Sequence, residues 1–267
     1  NEGGGMNVAV MTHRGAVRSE NQDALCVAGK IWTGDMSSPQ VVEVKDFPLL
    51  LAAIDGMGGH KGGALAARIL AETLSRAAFA SFGAELDLEA DERALHSLLC
   101  QAAQRMESEA WKTPELASMG ATVSGVLIRE KNAVAFNCGD CRVYRFSKAE
   151  LERLTRDHSL VQALYEMGEI GEDEMRTHPR KNIVTSAVSA DSSEIFELYV
   201  KGVSRCESDV FFLCSDGVWE ALDSRQLTQW ITPSLSLADG ATRLFDALLA
   251  AECRDNVSFL WVPPQEA

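Results

Sequence analysis

The chain has 267 residues, 46% of them hydrophobic, and its 25 basic and 39 acidic side chains give a formal net charge of −14. So acidic a protein repels a phosphate backbone, which argues against nucleic acid as the main ligand. No apolar run approaches the length of a bilayer span, so no membrane partner is expected, and seven irregularly spaced cysteines are typical of reduced thiols in the cytoplasm rather than of a disulfide framework.

Nine short, mostly apolar segments predict β-strands. In chain order they cover residues 7–11, 24–31, 49–54, 121–128, 133–138, 143–146, 195–200, 210–214 and 257–262. Apolar residues at helical spacing predict helices over 63–80, 88–112, 160–167 and 237–252. Because the two types of element do not alternate regularly, the order favours an α+β fold with mostly antiparallel sheet over a doubly wound parallel sheet.

The chain shows no proline-rich or serine-rich linker, so we expect a single domain over residues 6–267. Residues 1–5, which read Asn-Glu-Gly-Gly-Gly, are interpreted as an expression remnant ahead of a native Met6. The polar segment 157–185 interrupts the strand-rich pattern. It is either a flap beside an active site or an ordinary exposed insertion.

Two apolar segments run directly into Asp-Gly, at Asp55-Gly56 and at Asp216-Gly217. A buried strand holds its last residue in place, and a following glycine allows a sharp turn that leaves its own carbonyl open. A carboxylate in such a position is costly to desolvate unless a cation compensates its charge. The two junctions therefore predict one divalent metal site.

Three further acids lie at strand edges: Asp23 before a predicted strand, Asp140 after one, and Asp255 before the last one. Carboxylate and carbonyl oxygens are the ligands that Mg²⁺ and Mn²⁺ prefer. Zinc is disfavoured because no His or Cys cluster has its ligand spacing. For any single acid, a capping or turn role remains the alternative interpretation.

Arg18 lies a few residues before Asp23 and adds a cation to this group. The planar fork of a guanidinium is the side chain best matched to the oxygens of a phosphate. Two metals roughly 3.5–4 Å apart can share a hydroxide, lower its pKa and aim it in line at phosphorus while Arg18 holds the other oxygens. These residues indicate phosphoryl chemistry.

Six short motifs follow one another along the chain. They are Arg-Ser-Glu-Asn-Gln-Asp at 18–23, Asp-Gly-Met-Gly-Gly-His at 55–60, Gly-Ala-Thr at 120–122, Cys-Gly-Asp-Cys-Arg at 138–142, Leu-Cys-Ser-Asp-Gly-Val at 213–218 and Arg-Asp-Asn-Val-Ser at 254–258. In this order they resemble the bacterial form of the PPM/PP2C metal-dependent serine/threonine protein phosphatases. The resemblance runs from about residue 8 to residue 262.

The resemblance implies two antiparallel β-sheets packed as a central sandwich and flanked by helices, in αββα layers. It also implies that phosphoserine and phosphothreonine in proteins are hydrolysed when a metal-bridging hydroxide attacks phosphorus. The implied partners are phosphorylated protein substrates and a bacterial serine/threonine kinase whose action the enzyme reverses. The insert 157–185 falls where these phosphatases carry their flap.

Matched position by position, Asp55 resembles the carboxylate that bridges two Mn²⁺ or Mg²⁺ ions, and Gly56 the carbonyl ligand of one of them. Asp216 and Asp255 resemble the direct ligands of the other ion. Asp23 resembles the acid that holds the waters of the second metal.

Arg18 resembles the phosphate clamp, and Asp140 the acid that helps to hold a third, weaker ion. The chain departs from animal members at Met57, where they place a histidine proposed as general acid. Bacterial members share this absence, so the donor in the protonation step is unassigned. Cys138 and Cys141 form a Cys-x-x-Cys that is either redox-active or, as we interpret it, a pair of packed thiols.

Two alternatives stand beside the phosphatase. One is a pseudophosphatase that binds phosphoproteins without turnover, which the intact set of aspartates disfavours. The other is an unrelated metallohydrolase of small phosphoesters, which the ordered motifs disfavour.

Overall fold

The computed structural model describes residues 5–45, 47–77, 82–83, 85–148, 150–191, 195–231 and 236–265. Residues 1–4 of the expected remnant and residues 78–80 of the first predicted helix lie outside this part. The described strands are β1 (Met6–His13), β2 (Ala24–Val27), β3 (Lys30–Thr33), β4 (Gln40–Val44), β5 (Leu49–Met57), β6 (Gly120–Ile128), β7 (Asn132–Cys138), β8 (Arg142–Ser147), β9 (Glu150–Arg153), β10 (Val188–Ser189), β11 (Tyr199–Ser204), β12 (Val210–Cys214) and β13 (Val257–Val262). The helices are α1 (His60–Ser75), α2 (Leu88–Lys112), α3 (Leu160–Glu166), α4 (Glu172–Met175), α5 (Asp216–Ala221), α6 (Ser224–Ile231) and α7 (Leu237–Ala250).

The strands form two sheets in which every described pairing is antiparallel. Sheet A has the order β4-β1-β13-β12-β8-β9, and sheet B has the order β11-β7-β6-β5-β2-β3 with β10 paired to β6. The predicted α+β class with two antiparallel sheets is therefore confirmed.

Three apolar clusters account for the layers. One fills the space between the sheets, a second packs α1 and α2 on the outer face of sheet B, and a third packs α5, α6 and α7 on the outer face of sheet A. Alternate side chains of β5 go to different clusters, with Leu49, Leu51 and Ala53 between the sheets and Leu50, Ala52 and Ile54 under the helices. Because both faces of this strand are buried, its sequence is continuously apolar rather than alternating.

The predicted strand 24–31 is wrong in its extent, because it is a hairpin. Ala28 and Gly29 form the turn between β2 and β3 with φ angles of 46° and 81°. Two consecutive left-handed residues reverse the chain tightly, which an apolar pattern does not reveal.

Other boundaries also differ from the predictions. Residues 195–198 precede the strand that was predicted over 195–200, and β4, β9 and β10 were not predicted. Of these, β4 and β9 are sheet edges with exposed and half-buried side chains, so their patterns are weak, and β10 has only two residues. The first helix spans His60–Ser75 instead of 63–80, and α4, α5 and α6 were not predicted. None of the helices in the described ranges has both the length and the apolar character needed to cross a bilayer.

Candidate active site

A cavity of about 610 Å³ opens at one end of the gap between the two sheets, and we call it the carboxylate pocket. Six of the seven predicted site residues line it: Arg18, Asp55, Gly56, Asp140, Asp216 and Asp255. The seventh, Asp23, is 2% exposed and lies buried next to this group rather than on the pocket wall. Residues that are up to 237 positions apart in sequence are thereby brought together.

Asp55 is carried by β5, which continues through Asp55 and Gly56 to Met57 while it pairs with β6. The turn expected after Asp55 is therefore absent. Gly56 is needed for another reason, since a Cβ there would lie 2.1 Å from the carbonyl oxygen of Gly63. Asp55 follows Ala53 by two positions, so its side chain points into the gap between the sheets, where the pocket opens.

Asp216 is the first residue of α5, so the second Asp-Gly junction is a helix start rather than a turn. A carboxylate in the first turn of a helix is favoured by the helix dipole. A Cβ on Gly217 would lie 2.1 Å from the carbonyl oxygen of Asn256, so only glycine allows α5 to approach the loop before β13 so closely.

Asp23 is anchored by the hydroxyl group of Ser215, which lies between β12 and α5. Ser215 Oγ donates to Asp23 Oδ2 at 2.8 Å, and the backbone N–H of Ser258 donates to Ser215 Oγ at 3.1 Å. Asp23 Oδ1 is buried and has no hydrogen-bond partner among the described residues. One face of this carboxylate is thus held, while the other retains an unused acceptor.

Asp140 lies in the tight connection between β7 and β8, after Gly139 with a φ of 108°. Trp219 Nε1 donates to the carbonyl oxygen of Asp140 at 3.0 Å. A buried tryptophan usually finds such a partner for its N–H, so Trp219 anchors this connection. Asp140 Oδ1 is a second buried acceptor that lacks a hydrogen-bond partner within the described ranges.

Arg18 and Asp255 are joined directly, with 2.6 Å between Arg18 Nη2 and Asp255 Oδ2. The Arg18 side chain is 55% exposed and the Asp255 side chain 26% exposed, so the ion pair lies at the mouth of the pocket. The hydrogen bond from Arg18 to Asp255, more than any other contact, raises the pKa of the guanidinium.

Asn256 holds the loop that carries Arg18, a role that the sequence analysis missed. Its Nδ2 donates to the carbonyl oxygens of Arg14 and Glu20, and its Oδ1 accepts from the backbone N–H of Gln22. Asn256 lies in the last of the six motifs, and that position was its only signal in the sequence.

Burial and mutual repulsion raise the pKa values of four of the carboxyl groups. Burial is the main cause for Asp55 and Asp216, whose pKa values are well above the ordinary range, and neighbouring carboxylates add to it. Burial raises the pKa of Asp23 to about 6, although the Ser258 and Ser215 hydroxyls oppose the shift. Burial and then the charge of Asp157 raise the pKa of Asp140 to about 7.

Several carboxylates that repel one another in a common pocket suit a hard cation. The donor set is all oxygen, and the unpartnered oxygens of Asp23 and Asp140 supply acceptors that nothing else in the described residues uses. No three His, Cys, Asp or Glu side chains of the described residues already converge as a formed metal cluster. The residue types fit divalent cations, and their side chains would have to turn toward them.

The segment 157–185 contains α3 and α4, and its residues Asn182, Ile183 and Val184 line the carboxylate pocket. The first end of the segment is bound to the connection that carries Asp140, and the two ends are bound to each other. The backbone N–H of His158 donates to the Gly139 carbonyl at 2.8 Å, and the N–H of Thr185 donates to the His158 carbonyl at 2.9 Å. The segment therefore forms part of the wall of the carboxylate pocket.

Cys138 and Cys141 are buried, free thiols. Cys138 Sγ lies 3.7 Å from Ser186 Oγ, and Cys141 Sγ lies 3.3 Å from Thr122 Oγ1. Burial raises the pKa of Cys138 to about 12 and also raises the pKa of Cys141. Thiols that resist ionisation are poor nucleophiles, which supports their interpretation as packed residues.

Comparison with known proteins gives concordant matches. The protein phosphatase 2C family model matches residues 35–251. The serine/threonine phosphatase Stp of Listeria monocytogenes is 28% identical over 257 residues, which cover 96% of this chain and 95% of that protein.

Two solved structures extend the comparison. PppA of Pseudomonas aeruginosa, a key regulatory component of its T6SS, is 30% identical with a TM-score of 0.75, and the match covers 97% of both chains. The catalytic domain of the serine/threonine protein phosphatase PstP in complex with two manganese ions has a TM-score of 0.74. That match covers 97% of this chain and 100% of the other, and at 22% identity it shows a shared fold.

Proposed function

The chain belongs to the protein phosphatase 2C family, and from that premise we propose how its carboxylate pocket removes phosphate from phosphoserine and phosphothreonine in proteins. The chain is a metal-dependent protein serine/threonine phosphatase, so its substrates are phosphorylated proteins. The observation that carries the proposal is the convergence of Arg18 and the predicted aspartates on one pocket. This juxtaposition supplies both a cation site and a phosphate-binding guanidinium.

In this proposal the chain holds two ions, Mn²⁺ or Mg²⁺. Asp55 would be a ligand of both ions, the Gly56 carbonyl would be a ligand of one, and Asp216 and Asp255 would be ligands of the other. When bound, the ions would offset the repulsion among the carboxylates and activate a water molecule for in-line attack on phosphorus.

Asp23 and Asp140 have supporting roles in the proposal. Asp23 would accept hydrogen bonds from waters bound to the second ion, and its unpartnered Oδ1 is suited to this. Asp140 would help to hold a third and weaker ion, and its own unpartnered oxygen supports that role.

Arg18 binds the phosphate oxygens of the substrate. Because its guanidinium already lies at the mouth of the pocket, a rotation away from Asp255 would present its donors to an incoming phosphate. Met57 lines the same pocket and has no proton to donate, so the leaving oxygen does not take its proton from that position.

We further propose that residues 6–267 act as one phosphatase domain in the cytoplasm, with 157–185 as its flap. The seven cysteines are all free, which supports a reducing compartment. The partner implied by the substrate chemistry is the serine/threonine kinase that makes these phosphoproteins.

The test is phosphate release from a phosphothreonine peptide and from a small aryl phosphate, with Mn²⁺ and with a chelator. The parent is compared with Asp216→Ala and with Asp246→Asn, a control on the exposed side of α7. We expect turnover of the peptide by the parent and by the control in Mn²⁺ only, and a loss of at least 100-fold in Asp216→Ala.

Other outcomes identify the alternatives. Turnover that survives the chelator would contradict the metal mechanism. Peptide binding without turnover in Mn²⁺ would indicate a pseudophosphatase, and turnover of the aryl phosphate alone would indicate a small-phosphoester hydrolase.

A further inference from the structure

A second cavity of about 380 Å³ lies behind Asp140, bounded by β8, β9, the flap helix α4 and the helices α5 and α6. Four arginines line it, Arg142, Arg153, Arg176 and Arg225, and we call it the arginine cavity. Such a concentration of positive charge is unexpected in a chain with a formal charge of −14. The mechanism proposed above uses none of these arginines.

Arg142 and Arg153, on the inner wall of the arginine cavity, are held by several contacts. The Arg142 guanidinium lies 3.6 Å from the centre of the Trp219 ring and donates to Asp157 and to the Tyr144 hydroxyl. Arg153 also reaches Asp157, with 3.4 Å between Nη1 and Oδ2. Asp157 therefore balances one of these two charges and leaves the other uncompensated.

The outer wall has donors that remain available. Arg176 Nη2 donates to the Glu220 carbonyl at 3.2 Å, but its Nη1 is 3.9 Å from Asp223, and its Nε is buried with no hydrogen-bond partner among the described residues. Arg225 is exposed, and no hydrogen bond or ion pair engages its guanidinium within the described ranges.

Two acids also line the cavity and reduce its charge. Asp173 is exposed, and Asp223 is engaged in capping, because its Oδ1 accepts from the backbone N–H of Gln226 at the start of α6. Four guanidinium groups against Asp157, Asp173 and Asp223 leave a net positive charge. The cavity therefore favours an anion.

We propose that the arginine cavity binds a phosphate group, either free inorganic phosphate or a phosphorylated side chain. A tetrahedral dianion accepts several hydrogen bonds at once, and the guanidinium fork is the donor that matches it. Arg176 and Arg225 supply N–H groups that are not fully engaged in the protein, while Arg142 and Arg153 supply positive charge on the opposite wall.

Trp219 links the arginine cavity to the carboxylate pocket. Trp219 forms part of the cavity wall, stacks with Arg142, and donates to the Asp140 carbonyl. A phosphate group in the cavity thus lies one residue away from the connection that carries Asp140.

Binding is measured by calorimetric titration of the full chain with inorganic phosphate at constant ionic strength, in a chelator. Without added cations the aspartates of the carboxylate pocket repel phosphate, so the arginine cavity is observed alone. We expect one saturable site in the parent and also in Arg18→Ala, which removes the guanidinium of the other pocket.

Arg225→Glu is the decisive variant, since within the described residues the Arg225 side chain makes no hydrogen bond or ion pair that its replacement would break. We expect it to weaken phosphate binding by at least tenfold, and Arg176→Gln by at least threefold. Arg243→Glu makes the same charge change at an exposed position on α7 and is expected to stay within twofold of the parent. Equal weakening by Arg225→Glu and Arg243→Glu, or no saturable site in the parent, would overturn the proposal.

A second titration separates the two sources of phosphate. A phosphothreonine peptide that binds at least tenfold more tightly than inorganic phosphate, and loses that advantage in Arg225→Glu, would assign the site to phosphoproteins. Equal affinity would assign it to free phosphate. Hydrolysis by the parent in Mn²⁺ is assayed separately, so failure of this site is distinguishable from failure of the phosphatase mechanism.

Discussion

Arg18 Nη2 lies 2.6 Å from Asp255 Oδ2, so the guanidinium that we propose for phosphate binding is paired with a carboxylate that we propose for cation binding. The two roles are therefore linked. If a cation drew Asp255 inward, the ion pair would weaken and more of the Arg18 guanidinium would become available to a substrate phosphate.

Replacement of Arg18 by alanine should reduce kcat/KM for a phosphothreonine peptide by about 10- to 100-fold, the worth of one or two charge-assisted hydrogen bonds. The loss should appear mainly in KM, because the proposed cation ligands remain. Arg18→Lys keeps the charge without the fork and should be intermediate. Steady-state kinetics would test this prediction. The control is Arg68→Ala, which removes an exposed arginine on α1. A KM and kcat like those of the parent in Arg18→Ala would refute the proposed role of Arg18 in phosphate binding.

The stability of the chelated protein should fall as the pH rises. Asp23 and Asp140 have pKa values of about 6 and about 7 in the folded protein, against 3.8 ordinarily. Above pH 3.8 the unfolded state has lost protons that these two groups still hold in the folded state. The resulting stabilisation of the folded state is complete below about pH 4 and is lost as the pH passes about 7.

In urea titrations with chelator we expect the free energy of unfolding to be on the order of 4 kcal/mol lower at pH 8 than at pH 5. Asp140→Asn should remove part of this difference, Asp246→Asn should keep all of it, and added Mg²⁺ should reduce it by binding the ionised carboxylates. A free energy of unfolding that is equal at the two pH values would contradict the assignment.

His158 is expected to act as a positioning residue. Its Nδ1 accepts from the backbone N–H of Gly139 at 3.0 Å, directly before Asp140, and burial lowers its pKa, which keeps the ring neutral. Removing the acceptor leaves a buried N–H unsatisfied, which costs about 1–3 kcal/mol.

His158→Ala should therefore lower kcat several-fold and raise the Mn²⁺ concentration needed for half-maximal activity, because Asp140 is less firmly placed. His158→Asn offers an acceptor at a similar place. It should restore much of kcat and bring the Mn²⁺ concentration for half-maximal activity back toward that of the parent. A purely structural role would lower the melting temperature while leaving the Mn²⁺ dependence of the folded enzyme unchanged.

Gly217→Ala should destabilise the protein by about 3 kcal/mol or more, because the new Cβ would lie 2.1 Å from the Asn256 carbonyl oxygen, which is backbone and cannot move aside easily. Gly171→Ala is the matched control, since its nearest atom is the end of the Glu174 side chain at 3.5 Å. Thermal unfolding of both variants measures the difference in stability. Similar melting temperatures would contradict the prediction and show that α5 has room to shift.

The layers of the fold were predictable from local pattern. Continuous apolar segments such as 49–54 and 210–214 indicate strands buried on both faces, and helical periodicity located α2 and α7. The hairpin turn at Ala28 and Gly29 was not predictable in this way, because its apolar residues continue the pattern of the strand before it.

The sequence alone determined which side chains are available for chemistry: Arg18 and the aspartates at the strand edges, among them Asp55 and Asp216. Only the tertiary structure decided how they are held, because the deciding contacts are long-range. Asp55 stays in a strand since β6 pairs alongside it, whereas Asp216 starts a helix that packs against the Asn256 backbone. The Arg18–Asp255 pair joins residues 237 positions apart, and no local pattern carries information across that separation.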